Sequence, residues 1–153
     1  MMTKQTRETV DQFIEQMGLL TQADGLPRIA GKIFGLLLIE TGPYSFSDLA
    51  ARLCVSRGSV STNTRLLENL GVIDRVSKLG ERGDYFQLGT DPYNKLMHGI
   101  HERMGKSLAV VQAAQANIPQ SWQESHKRLR DIEYFYSEYH KSTQELIKRL
   151  SKT

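Results

Sequence analysis

Apolar positions recur at helical spacing along most of the chain, interrupted once by a short tract of strand character. Val10, Phe13, Ile14, Met17 and Leu20 share one helical face and predict an amphipathic helix over residues 6–22. Gly25 and Pro27 mark a turn. Pro27 suits the first position of the next helix, where its missing N–H costs nothing. Residues 27–40 carry Ile29, Ile33, Phe34, Leu36, Leu37 and Leu38 around most of the circumference, the pattern of a helix buried from several sides. Gly42 and Pro43 end it.

A tighter pattern starts at Ser45. Ser45 or Ser47 can cap a short helix ending near Cys54, with Leu49, Ala50 and Leu53 inward. Val55 and Ser56 make a tight turn. Ser56 can cap a second helix running to Leu70, and Gly71 follows its end. Val60, Thr64, Leu67 and Leu70 share one face of it. Two short helices joined by such a turn form a helix-turn-helix. Residues 72–77 and 84–88 are β-rich, and the polar, glycine-containing tract 78–83 joins them. That predicts a hairpin with a long tip, a wing.

Asp91 and Pro92 open a helical stretch over 92–117, with Leu96, Ile100, Met104, Leu108 and Val111 on one side. Pro119 is expected to start the last helix. There Trp122, Ser125, Leu129, Ile132, Tyr136, Tyr139, Thr143, Leu146 and Leu150 alternate by three and four, a heptad seam. At about 1.5 Å per residue, 119–151 would span on the order of 48 Å. So long a stripe calls for a partner helix, most economically from a second subunit. Ser125, Thr143 and the tyrosines leave antiparallel or intrasubunit packing open. The expected fold is mainly α with a small β-hairpin wing. Residues 1–90 form N-terminal helices and a winged helix-turn-helix, and 91–153 a helical dimerisation region through Trp122, Leu129, Ile132, Tyr136, Tyr139, Leu146 and Leu150.

Charge alone adds little. The formal net charge is +3, yet residues 1–90 hold ten Lys/Arg against ten Asp/Glu. A nucleic-acid argument must rest on where charges sit. The single cysteine, Cys54, excludes an intramolecular disulfide and fits a reducing cytosol. No apolar run is long enough to span a bilayer, so a cytoplasmic protein without membrane partners is expected.

In a helix-turn-helix the second helix enters the major groove, its N-terminal residues on base edges. The face opposite Val60, Thr64 and Leu67 carries Arg57, Gly58, Ser61, Thr62 and Arg65, with Ser59 at its edge. It holds two cations, no acid and small hydroxyl side chains. Arginine can fork onto guanine or hold a phosphate. Gly58 is costly inside a helix, by about 1 kcal/mol against Ala, and close approach to DNA would explain it. Lys78 and Arg82 flank the wing tip and can reach the backbone or minor groove, although Glu81 and Asp84 dilute the charge. Arg28, in a first helical turn where a cation opposes the dipole, is expected in a salt bridge.

Other residues offer less. His98 and His101 share a helix face but lack the ligands to complete a metal site, so His98, His101, His126 and His140 read as solvated or packed imidazoles. Cys54 reads as a small, partly buried hydrophobe. Tyr134, Phe135, Tyr136 and Tyr139, with Trp122 and Tyr93, could cage a small cationic effector, but interface packing is the simpler reading. No metal or cofactor is expected. There is no GxSxG, P-loop, HExxH or CxxC, and an enzymatic reading is poor.

Several segments resemble the GbsR-type branch of the MarR-like winged helix-turn-helix regulators. They are residues 13–20, Gly25 to Gly31 (Gly-Leu-Pro-Arg-Ile-Ala-Gly), 46–50, Val55 to Ser61 (Val-Ser-Arg-Gly-Ser-Val-Ser) and 66–71. The resemblance covers about residues 10–90. It implies a homodimeric repressor of operator DNA whose last helices supply the dimer interface, and in the best-known members a link to glycine betaine with choline as effector. A DNA-binding regulator on a palindromic operator is therefore expected. The competing expectations are a winged-helix protein–protein adaptor, motivated by the neutral charge of residues 1–90, and a redox or metal sensor using Cys54 or the histidines.

Overall fold

The computed structural model describes residues 2–152. The chain divides into two compact units, one ending at Pro92 and one beginning at Tyr93.

The first unit contains α1 (Lys4–Ala23), α2 (Arg28–Ile39), β1 (Tyr44–Ser45), α3 (Phe46–Leu53), α4 (Arg57–Leu70), β2 (Ile73–Val76) and β3 (Tyr85–Leu88). Helix α2 touches α1, α3, α4 and β3, which is why it is apolar nearly all round. Its Ile33, Leu36 and Leu37 are buried with Ile14 of α1, Leu49 of α3, Val60 and Leu67 of α4 and Phe86 of β3. Pro27 caps α2 from outside the first turn instead of occupying it. Helices α1 and α2 approach so closely that a Cβ on Gly31 would lie 2.5 Å from the Met17 carbonyl oxygen. As expected, Arg28 is ion-paired: its Nη2 lies 2.6 Å from Glu15, whose other oxygen meets Lys32 at 2.6 Å. These two cations hold the Glu15 carboxyl below its usual range.

Local chemistry sets the helix-turn-helix. Ser45 caps α3 by accepting from the Asp48 amide, and the Asp48 carboxylate accepts from the Ser45 amide, a closed capping box. Ser56 caps α4 by accepting from the Ser59 amide, and Gly71 ends α4 in the left-handed conformation, φ 81°. Between the helices Cys54 is also left-handed, φ 56°. This position corrects the expectation of a partly buried residue. Cys54 ends α3 as its cap and is exposed, its thiol 3.8 Å from the Ala51 carbonyl oxygen.

The sheet has three antiparallel strands in the order β1-β3-β2. Strands β2 and β3 are the expected hairpin, with Arg75 opposite Phe86 and Val76 opposite Tyr85. Strand β1 was not foreseen. It is two residues long, pairing Tyr44 with Phe86 and Ser45 with Tyr85, and it tethers the start of α3 to the wing. This is a winged helix-turn-helix.

The second unit is an antiparallel pair of long helices, α5 (Pro92–Asn117) and α6 (Gln123–Leu150). Asn94 donates to the Ser151 hydroxyl at 3.3 Å, His101 Nδ1 lies 2.9 Å from the Thr143 hydroxyl, and the His101 and His140 rings stack at 3.8 Å. The last helix starts at Gln123, not Pro119. Residues 119–122 form a turn closed by the Trp122 amide on the Pro119 carbonyl at 3.0 Å. Trp122 is thus the cap of α6 and lies outside its helical seam. Among the described residues of this unit only Val111 and Thr143 are buried. No helix among the described residues is long and apolar enough to cross a membrane.

Candidate nucleic-acid interface

Helix α4 turns Val60 and Thr64 fully inward, and the Thr64 hydroxyl donates to the Val60 carbonyl at 2.8 Å. Asn63 is also buried, donating to the Ser59 carbonyl at 2.8 Å. The other side of the helix then faces solvent. Arg57, Gly58, Thr62 and Arg65 are exposed, and Ser59 and Ser61 are half-buried. The Ser56 hydroxyl donates to that of Ser59 at 3.0 Å, and Thr62 donates to the Gly58 carbonyl at 3.1 Å. Their oxygens keep lone pairs for an outside donor. A Cβ on Gly58 would meet only Ser56 Oγ at 3.9 Å. Nothing inside the fold requires glycine there.

The wing stands beside this face. Arg82 and Lys78 are both exposed, and Lys78 Nζ sits 4.3 Å over the Tyr85 ring. Arg57 of α4 and Arg82 of the wing line one groove with Ser45, Phe46, Ser47, Gly83, Asp84 and Tyr85.

Ion pairing sorts the cations of the first unit. Lys4, Arg28, Lys32, Arg52 and Arg75 each have a carboxylate within 4.0 Å. Among the described residues, the cations of this unit without one are Arg7, Arg57, Arg65, Lys78 and Arg82, four of which lie on α4 or the wing. The nearby acids are engaged elsewhere. Arg75 binds Glu68 at 2.8 Å and Asp84 at 2.8 Å. Its bonds to Glu68 raise the guanidinium pKa against the pull of burial. Glu81 accepts from the Tyr85 hydroxyl, which raises the pKa of that phenol. Asp48 is held in the capping box. The acids near α4 and the wing thus make their direct contacts elsewhere, and among the described residues Arg57, Arg65, Lys78 and Arg82 are left without a carboxylate contact.

The seam residues of α6 divide. Leu129, Tyr136 and Leu150 are half-buried, and Thr143 is buried against His101. Ile132, Tyr139 and Leu146 remain exposed, at 37%, 40% and 38%, and Phe135 joins them at 57%. Phe135 lies 5.8 Å from Tyr136 and 5.9 Å from Tyr139, ring centre to ring centre. Trp122 is exposed at the head of the helix. The rings run along one helix as a stripe. Sequence reasoning missed the stacking of His101 on His140, which joins residues from different helices. Among the described residues no group of three or more His, Cys, Asp or Glu could hold a metal.

No protein-family model matches the sequence. The chain is 40% identical over 102 residues to the HTH-type transcriptional regulator MmpR5 of Mycobacterium tuberculosis, a match covering 66% of this chain and 59% of that protein. It is 24% identical over 83 residues to the putative HTH-type transcriptional regulator YvaV of Bacillus subtilis, covering 54% of this chain and 47% of that one. The chain thus spans about half the length of the curated relatives it matches. A solved transcriptional regulator superposes with a TM-score of 0.82 at 28% identity, covering 95% of this chain and 99% of its own. Regulator names throughout agree with the absence of an enzyme motif. By sequence this chain is similar to HTH-type transcriptional regulators, and its fold is similar to that of a solved transcriptional regulator.

Proposed function

We propose that this chain is a DNA-binding transcriptional regulator that acts as a homodimeric repressor on a palindromic operator. The observation that carries this reading is the sorting of charges. On the exposed side of α4 and on the wing, Arg57, Arg65, Lys78 and Arg82 lack carboxylate partners, while the acids around them are engaged. Such cations are free to replace the counterions of a phosphate backbone. Arg57, Gly58, Ser59, Ser61, Thr62 and Arg65 would meet the major groove, and Lys78 and Arg82 the backbone or minor groove beside it.

The homodimer rests on α6. Its exposed Ile132, Phe135, Tyr139 and Leu146 recur at spacings of three, four and seven along one side. With only Val111 and Thr143 buried among the described residues of its own unit, that stripe calls for a second helix. The aromatic rings serve this face in the present reading, not a cage for a cationic effector. Membership of the GbsR-type branch of MarR-like regulators belongs to the same proposal and rests on the segments around Gly25–Gly31 and Val55–Ser61.

Selection of bound fragments from randomised duplex tests the reading. The expected product is an inverted repeat whose half-sites lie about 10 base pairs apart or a multiple of that. Arg65→Ala should weaken binding to it. If Arg65 holds a phosphate, the salt slope falls by about one per protomer, about two for the dimer; if it reads a base, the preference at one position relaxes. A folded chain that enriches no duplex would instead favour the adaptor reading.

A further inference from the structure

The groove between the first turn of α4 and the base of the wing has a specific composition. Two guanidiniums from separate elements line it, Arg57 and Arg82, and neither has a carboxylate partner among the described residues. Its one carboxylate, Asp84, is bound to Arg75 Nη1 at 2.8 Å. Phe46, Ser47 and Tyr85 also line it, and the Tyr85 hydroxyl donates to Glu81. The groove measures about 270 Å³, roomy enough for a tetrahedral anion.

Arg75 is placed to control this groove from outside. It does not line it. From the middle of β2 its guanidinium bridges Glu68 near the end of α4 and Asp84 just before β3, and lies 5.3 Å over the Phe86 ring. The bridge fixes the wing against α4. It also occupies the carboxylate that would otherwise compete for Arg82 and Arg57.

We propose that the groove seats one backbone phosphate of DNA between Arg57 and Arg82, and that Arg75 is a positioning residue that keeps the seat cationic by holding Asp84. The inference rests on the DNA-binding reading above. A phosphate gripped from both sides makes the recognition helix and the wing dock as one unit. The two arginines then contribute to a single counterion-release event. Independent contacts would contribute two.

The test is a double-mutant cycle on the full chain with a mixed-sequence duplex, reading affinity by fluorescence anisotropy over a range of salt. For a shared phosphate that only both guanidiniums together can hold, Arg57→Ala and Arg82→Ala each reduce the salt slope by about 0.9 per protomer, about 1.8 for the dimer, and the double variant reduces it no further. The affinity loss of the double variant falls well short of the product of the single losses. A double variant whose slope falls by about 3.6 for the dimer, with losses that multiply, overturns the shared seat while leaving DNA binding intact. Unchanged binding in both single variants overturns it equally. A parent chain that shows no salt-dependent binding overturns the DNA reading itself.

Arg75→Gln supplies the second arm. It should lower affinity and slope, and adding Asp84→Asn should restore the slope, because the released carboxylate is then neutral. Loss without restoration, in variants whose helical content matches the parent, overturns the charge-holding role. If Arg75→Gln fails to fold, Asp84→Asn alone still decides: it should leave the parent's slope unchanged or steeper, and a shallower slope contradicts the proposal.

Discussion

Gly58 offers a perturbation in which stability and binding should move in opposite directions. It occupies the second position of α4, after Arg57, with no positive φ to favour glycine. A Cβ there would meet only Ser56 Oγ at 3.9 Å, ordinary contact. Gly58→Ala therefore adds no internal clash and lowers the entropy of the unfolded chain. Inside a helix this exchange gains about 0.5–1 kcal/mol. For a chain of this size, that is a rise in Tm of about 1–4 °C. Against DNA the added methyl points out from the face that carries Arg57, Thr62 and Arg65. A methyl forced into a close-packed contact costs about 1–3 kcal/mol, or about 5- to 150-fold in affinity. Far-UV circular dichroism melts give the first quantity, and anisotropy titration on duplex DNA the second. A variant that is more stable and binds as well as the parent would refute the close approach of α4 to DNA. A less stable variant would refute the helical account of this position.

Three further outcomes follow from the geometry. Gly31→Ala should destabilise the first unit by about 1–3 kcal/mol, since the new Cβ would sit 2.5 Å from the Met17 carbonyl oxygen; a urea titration measures it. Burial, and after it the hydrogen bond to Glu40, push Tyr44 up from 10.0 to about 12. The folded chain holds that proton more tightly than the unfolded one, so this contribution is intact below pH 10.0 and is lost as pH rises through about 12. Relative to the parent, Tyr44→Phe should flatten the decline of the urea midpoint across that window. Charging the exposed stripe of α6 with Ile132→Glu and Leu146→Glu should yield monomers by sedimentation without loss of helical content; a dimer that persists would move the interface off α6.

Features legible in the sequence were those fixed by neighbours along the chain. Ser45 or Ser47, Ser56 and Gly71 mark helix ends by local chemistry, and the structure has Ser45, Ser56 and Gly71 as the caps. The all-round apolarity of residues 27–40 foretold a central helix, and α2 touches four other elements. What was not legible depends on partners distant in the chain or across a bend. Strand β1 is two residues long and exists only because β3 offers its edge. No alternation can announce so short a strand. Cys54 takes a left-handed cap usually given to glycine, so its exposure could not be read from its apolar character. Trp122 fits the seam by spacing, yet the turn opened by Pro119 leaves it outside the helix.

The candidate interface shows the same division. The polar face from Arg57 to Arg65 follows from helical periodicity once Val60 and Thr64 are inward. Its electrostatic character does not. The sequence counts Glu68, Glu81 and Asp84 against the basic residues near them. In the fold Arg75, seven residues after Glu68 and nine before Asp84, binds both. That pairing requires the α4–β2 turn and the β2–β3 register together, with Arg75 opposite Phe86. It leaves Arg57, Arg65, Lys78 and Arg82 without a direct carboxylate contact among the described residues, on the exposed side of α4 and the wing.

The central claim is that this surface binds the phosphate backbone of duplex DNA, and the salt dependence of binding by the intact chain tests it most directly. Counting one phosphate for Arg57 with Arg82, one for Arg65 and one for Lys78, on each of two protomers, log Kobs should fall linearly with log salt with a slope of about −5. A slope near zero, or no binding at low salt by a chain of full helical content, would contradict the account.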